Sequence, residues 1–214
     1  MADVNTRNRR SAPTRRRIVE AAHGLFATRG YSGTTFQEVA DTAGVSVQTV
    51  YFHYGSKSQL LKHVVDVASV GDDEPIPLLE RPWFVELRGS TDPRKAIALW
   101  VRESGAIFDR VAAILAVVRD AAAGDPEMAE QWQVNSGQRR TAHETFVGIL
   151  DGLDALRPGM DVQRATDVTV GLLSPDLFLV LERECGWSTA QWSAWAAGQL
   201  AYALLGADDE CSDR

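Results

Sequence analysis

Three residues constrain this chain more than any others: Ala40, Gly44 and Val50, spaced four and then six apart between two short helix signatures. Helices that cross at close range need a small residue at the crossing. The tight turn between them needs a residue that tolerates positive φ, and the second helix needs an apolar residue facing back onto the first. Val45 fills the gap beneath such a turn. The flanks agree. Thr35 with Glu38 fits a capping box, and Thr34 with Gln37 fits one equally well. Phe36, Val39, Ala40 and Ala43 then recur at helical spacing. Ser46 starts a second short helix that runs to about Tyr54. Ser56 with Gln59 caps another, carrying Leu60, Leu61, Val64, Val65 and Ala68 towards Gly71. Upstream, Ile18, Ala22, Leu25 and Phe26 predict a leading helix over about 14–28, stopped by Gly30. The pattern is a helix-turn-helix with a supporting helix on each side.

Everything downstream also reads as helix. Residues 1–13 are Arg-rich and end at Pro13, which predicts a flexible basic arm. Residues 72–93 hold Pro75, Pro77, Pro82 and Pro93 and form a connection, with a short helix at Trp83–Arg88. Helices follow over about 94–110, 111–123, 126–153 and 161–185, the last kinked at Pro175. Ser188 caps a final one through Leu205. No alternating β pattern lasts long enough for a sheet. The expected fold is all-α. It has an arm at 1–13, a three-helix helix-turn-helix domain at 14–57, a connecting helix at 58–71 and a larger helical domain at 72–214.

Charge divides along the same line. Residues 1–62 hold nine Lys/Arg and four acidic residues, a balance of +5, while 63–214 hold 13 and 25, a balance of −12. The basic end suits a polyanion, which the acidic remainder would repel. Cys185 and Cys211 stand far apart without metal-ligand spacing, so neither a disulfide framework nor a zinc site is expected. They read as one half-buried thiol and one in a frayed tail. No membrane span and no secretory signal are expected, and the expected compartment is the cytoplasm. No nucleophile–base set, phosphate loop or metal spacing supports catalysis, and no cofactor is expected.

The segment Thr14–Leu61 resembles the DNA-binding domain of the TetR family of bacterial repressors. The likeness is carried by Ala21-Ala22 through Leu25-Phe26, Gly30-Tyr31, Thr34-Thr35, Val39-Ala40, Ala43-Gly44-Val45-Ser46, Thr49-Val50-Tyr51, Tyr54 and Ser56-Lys57. The resemblance implies a dimer on double-stranded DNA, with the third helix in the major groove. The N-terminal residues of that helix, Val47, Gln48 and Thr49, reach base edges first. Gln48 suits an adenine edge, and Val47 or the Thr49 methyl suits a thymine methyl. Tyr51 and His53 are implied as phosphate or base contacts. Phe52 stands where polar or other aromatic residues are frequent. Lys57 lies near a helix N-terminus that favours phosphate. Thr34 or Thr35 combines capping with a phosphate contact, Gln37 is a further base reader, and Arg15, Arg16 and Arg17 suit phosphates or the minor groove. Tyr54 and Phe36 read as core.

For the larger domain the resemblance implies a small-molecule inducer held between middle helices. Candidate lining residues are Trp100, Ile107, Phe108, Leu115, Trp132, His143 and Phe146. Aromatic stripes at this spacing also read as plain core, and His143 reads as a polar-face residue. The last two helices carry Val168, Leu172, Leu177, Phe178 and Leu181, then Trp192, Trp195, Leu200 and Leu204. That is more apolar surface than one solvent-facing pair tolerates, so a subunit interface is expected there.

Overall fold

A computed structural model describes residues 3–71 and 80–205, with side chains from residue 12 onward. Among them the chain is helical without strands. Its helices are α1 (Asp3–Arg29), α2 (Phe36–Ala43), α3 (Val47–Tyr54), α4 (Lys57–Val70), α5 (Pro82–Arg88), α6 (Pro93–Ala121), α7 (Pro126–Asp151), α8 (Val162–Leu172), α9 (Pro175–Leu179) and α10 (Thr189–Leu205), with a π-helical turn at Val180–Glu184.

Caps explain most of these boundaries. The Thr35 hydroxyl accepts from Glu38 N while the Glu38 carboxylate accepts from Thr35 N, so the box forms on Thr35 and not on Thr34. Ser46 and Ser56 cap α3 and α4 through Thr49 N and Gln59 N. Gly44 ends α2 in the left-handed region, φ 64° and ψ 43°, and its N–H reaches back to Ala40 O and Asp41 O. The turn between α2 and α3 needed that conformation, and glycine reaches it without a Cβ penalty.

Three expectations are corrected. Residues 3–13 continue α1 instead of forming an arm, with Pro13 inside the helix. Once the 14–29 stretch has nucleated a helix, its upstream arginines propagate it at little cost, and Pro13 removes one donor without ending it. The two helices expected over 94–123 are one, with no proline after its first residue and Gly105 accommodated within it. Pro175 does not kink a continuous helix. α8 ends at Leu172, and Ser174 caps a new helix by accepting from Asp176 N and Leu177 N, with Pro175 in its first turn.

The chain forms two compact units. One comprises Met1–Asp72 with Ala113–Gln133, the other Asp73–Ala112 with Val134–Arg214. The boundary therefore differs from the expected one. α4 belongs with the helix-turn-helix, and the α6–α7 corner joins the same unit although it lies far downstream. Ile18, Ala22, Phe26, Val39, Ala40, Val50, Leu60, Leu61, Val64 and Val65 are buried in the first unit, as their spacing predicted. The second unit is centred on Phe84, Trp100, Phe108, Phe146, Phe178 and Trp192. Within it α6 approaches α10 closely at Gly105, where an added Cβ would lie 2.8 Å from Ser193 Oγ.

Candidate nucleic-acid interface

α3 is held from behind and open in front. Val50 and Tyr54 are buried, so the opposite stripe, Gln48, Tyr51 and Phe52, faces outward. Tyr51 is 57% exposed and Phe52 84%. Tyr51 is steadied by a T-shaped contact with the Phe36 ring, with centroids 4.7 Å apart. Phe36 is buried as expected and thus acts as a support for an exposed residue. Val47 and Thr49 are half-buried, and the Thr49 hydroxyl is hydrogen-bonded to Ser46 Oγ at 2.8 Å. The exposed surface of α3 is therefore Gln48, Tyr51 and Phe52 more than Val47 and Thr49.

The surrounding cations come from α1 and α4. Arg17 Nη1 lies 3.8 Å from where a Cβ would sit on Gly44, which places its guanidinium beside the turn. Arg16 is exposed and pairs with Glu20 at 2.8 Å, a surface ion pair of little net worth that a phosphate can displace. His53 is half-buried, and burial followed by the Arg15 charge holds its pKa below the usual histidine value. It is thus a neutral hydrogen-bonding group near pH 7. Gln37 is exposed, with its amide donating to Asp41 Oδ1 at 2.8 Å. Thr35 is exposed, and its hydroxyl is shared with Glu38, whose carboxyl those Thr35 bonds and the Arg29 charge hold below the usual range.

Two predicted contacts are recast. Thr34 is fully buried and its hydroxyl donates to Gly30 O at 2.9 Å, so it closes the end of α1 and is withdrawn from the phosphate contacts. Its side chain turns inward because Thr35 takes the cap. Lys57 is only half-exposed. Its Nζ donates to Tyr31 O at 2.7 Å and Thr34 O at 3.1 Å and sits 4.4 Å from the Tyr31 ring centroid. Its first task is to tie α4 to the α1–α2 turn, where two carbonyls are left without helical partners.

Sequence reasoning missed a second set of ties in this unit. The Tyr31 hydroxyl donates to Asp125 at 3.0 Å, and the Ser58 hydroxyl donates to Glu127. Burial and then the Asp125 carboxylate push the Tyr31 pKa up to about 12. Asp125 also caps α7, accepting from Glu127 N and Met128 N. An Asp-Pro-Glu at a helix start signals only a cap, so nothing local revealed its partners.

In the second unit the structure brings together Trp100, His143 and Phe146. The Trp100 and Phe146 rings are parallel at 5.0 Å, and Trp100 Nε1 donates to His143 Nδ1 at 3.3 Å. His143 is buried, not on a polar face. Its polar ring is tolerated inside because Trp100 satisfies one nitrogen. Burial and the Arg139 charge lower its pKa to about 3, so it is neutral, with its proton on Nε2. That buried N–H has no hydrogen-bond partner. Phe108 packs instead against Phe178 and Trp192, Ile107 is half-buried, and Leu115 and Trp132 belong to the other unit. An open groove of about 520 Å³ in this unit is lined by polar residues including Glu86, Asp92, Lys95 and Arg102, none of them among the candidates.

Of the expected interface residues, Phe178, Trp192, Leu200 and Leu204 are buried in this chain's own core and are withdrawn. α10 is apolar around most of its circumference, and sequence spacing alone could not say which face its own unit uses. Val168, Leu172, Leu177, Leu181 and Trp195 remain half-buried. Cys185 is exposed instead of half-buried, on the turn after the π-helical segment, and Cys211 lies outside the described residues. Among the described residues no helix is long and apolar enough to cross a membrane.

An all-helical chain with a capped α2–turn–α3 unit at its start and an open aromatic-polar stripe on α3 defines a helix-turn-helix protein. Residues 18–64 match the family described as bacterial regulatory proteins, tetR family. The HTH-type transcriptional regulator TtgR of Pseudomonas putida is 35% identical over 75 residues, covering 30% of this chain and 36% of that protein. An HTH-type transcriptional repressor of Mycolicibacterium smegmatis is 37% identical over 57 residues, 26% of this chain and 28% of the other. This chain thus spans about a third of the length of the curated relatives it matches. The fold extends further. The structure of a transcriptional regulator FadR from Bacillus subtilis, in complex with stearoyl-CoA, superposes with a TM-score of 0.69 at 14% identity, covering 90% of this chain and 98% of that one.

Proposed function

We propose that this chain is a DNA-binding transcriptional repressor that works in the cytoplasm as a homodimer on a pseudo-palindromic operator. α3 lies in the major groove, and a small molecule held in the C-terminal unit releases the DNA. The observation that carries this reading is the outward stripe of Gln48, Tyr51 and Phe52 on α3, flanked by arginines on α1. Gln48 reads a base edge, Tyr51 and His53 reach phosphates or bases, and Arg16, Arg17, Thr35 and Gln37 border the contact. The described relatives are transcriptional regulators, one of them a repressor, which supports regulation and its direction. A dimer through the remaining apolar faces, at Val168, Leu172, Leu177, Leu181 and Trp195, would set two α3 helices roughly 34–36 Å or a multiple apart.

The ligand part rests on the Trp100–His143–Phe146 cluster, whose unpaired His143 Nε2–H suits a ligand acceptor. That the fold neighbour FadR is in complex with stearoyl-CoA supports a small-molecule ligand. The inducer must bind the released state more tightly than the DNA-bound one.

The test is a titration of fluorescent duplexes, tiled across the DNA upstream of its own coding region, at several salt concentrations. Saturable binding to one duplex, with log Kd rising steeply with log salt, is the expected result. Equal, weak binding to every duplex overturns the reading.

A further inference from the structure

Phe52 is the least covered large apolar side chain on α3, 84% exposed, and among the described residues its one ring contact is a T-shaped one with His53 at 5.3 Å. A phenyl ring has no atom to offer a phosphate or a base edge. Set against a phosphate it would strip water from the anion and give nothing back. Yet it shares its outward face with Gln48, four residues earlier, and Tyr51, its neighbour. Gln48 and Phe52 at i and i+4 stand one above the other, roughly 6 Å apart on the helix surface. That distance corresponds to about two base pairs. Whatever groove admits Gln48 admits Phe52 as well.

The wall of the major groove carries one prominent apolar group, the C5-methyl of thymine. Insertion of an aromatic wedge between base steps is a minor-groove device and does not suit a side chain carried into the major groove by α3. We propose that Phe52 is a specificity-determining residue that reads a thymine methyl, within two base pairs of the base that Gln48 reads. The preferred half-site therefore contains a thymine whose methyl group, not its hydrogen-bonding edge, sets affinity. This rests on the reading of α3 as the DNA-contacting helix. It adds the chemistry of one base position, which neither the family likeness nor the helix-turn-helix geometry supplies.

The tie of Tyr51 to Phe36 sharpens the contrast between the two exposed rings. Tyr51 is supported from within, with its hydroxyl end free to meet an anion. Phe52 stands on its own and gains by covering its surface. The two adjacent aromatics divide the groove, one serving the backbone and the other a base.

The experiment uses the full-length chain. Duplexes are selected from a randomised pool, and each thymine of the selected sequence is replaced in turn by deoxyuridine, which removes the methyl and leaves every hydrogen bond in place. One symmetry-related thymine position is expected to lose about fourfold in affinity per half-site, the worth of one buried carbon group. Phe52→Ala should bind thymine and deoxyuridine duplexes equally at that position, while Phe52→Leu keeps the preference. Because Phe52 is exposed, both variants should melt at the wild-type temperature, and a circular dichroism melt checks this. Tight binding without methyl sensitivity at any position overturns the proposal and leaves the DNA-binding reading intact, as does a Phe52→Ala protein that keeps the wild-type thymine preference. Failure to select any duplex overturns both.

Discussion

His143 offers a sharp test of how the second unit is built. Its ordinary pKa is 6.5, and in the folded chain burial and then the Arg139 charge bring it to about 3. The unfolded chain therefore takes up a proton on this ring below pH 6.5 that the folded chain refuses. Stability present above pH 6.5 is lost as pH falls, until the folded ring protonates near pH 3. One pKa unit corresponds to 1.36 kcal/mol, so acidification to pH 5 costs about 2 kcal/mol through this residue. That is a large share of a net stability of roughly 0.05–0.15 kcal/mol per residue. Other groups titrate in the same range, so the informative quantity is a difference. His143→Gln keeps an oxygen that can accept from Trp100 Nε1 but takes no proton. Urea unfolding, followed by tryptophan fluorescence at pH 7, 6 and 5, should show wild type losing about 2 kcal/mol more than the variant across this range. Nitrogen-detected imidazole spectra of the folded protein should show a neutral ring protonated on Nε2 down to pH 5. Parallel pH dependences in the two proteins would refute the buried neutral histidine.

Further perturbations test the first unit. Tyr31→Phe removes the bond to Asp125 and should cost about 1 kcal/mol, discounted because the hydroxyl is only partly buried, and Asp125→Asn should be strongly non-additive with it in a double-mutant cycle. The Tyr31 pKa is raised from 10.0 to about 12, so wild type's margin over Tyr31→Phe is complete below pH 10 and should shrink in urea melts between pH 10 and 12. Gly44→Ala forces a side chain into a left-handed conformation and should lower stability by about 1–2 kcal/mol in thermal melts, while an exposed change such as Gln48→Ala should leave the melt unchanged and alter which bases a selection recovers. Lys57→Met should lower the melting temperature, by about 1–2 kcal/mol of stability, as well as weaken DNA binding, since the ammonium serves two backbone carbonyls; an unchanged melt with weaker binding would return Lys57 to a purely phosphate-contacting role.

The comparison of Thr34 with Thr35 shows where reading the chain stops. Either threonine could cap α2 within four residues of its own position, and both patterns are equally good as local chemistry. The choice is made by Gly30 O, which takes the Thr34 hydroxyl, and by Arg29, which pairs with Glu38 at 2.6 Å. Lys57 repeats the lesson. Its place after the Ser56 cap was legible, but the carbonyls that occupy it come from 23 and 26 residues away.

What the amino-acid order determined by itself is the set of features decided within a helical turn or two. These are the caps at Ser46 and Ser56, the left-handed Gly44, the inward Val39, Ala40 and Val50, and the outward Gln48. Capping bonds and 3.6-residue periodicity depend on neighbours in sequence, so they survive in a bare string of letters. Only the tertiary structure decided which apolar face of α10 is core, that His143 is buried against Trp100, and that Tyr31 and Ser58 meet the start of α7. Those outcomes depend on which surface another helix covers and on whether a distant partner can satisfy a buried polar atom, and burial has no local signature.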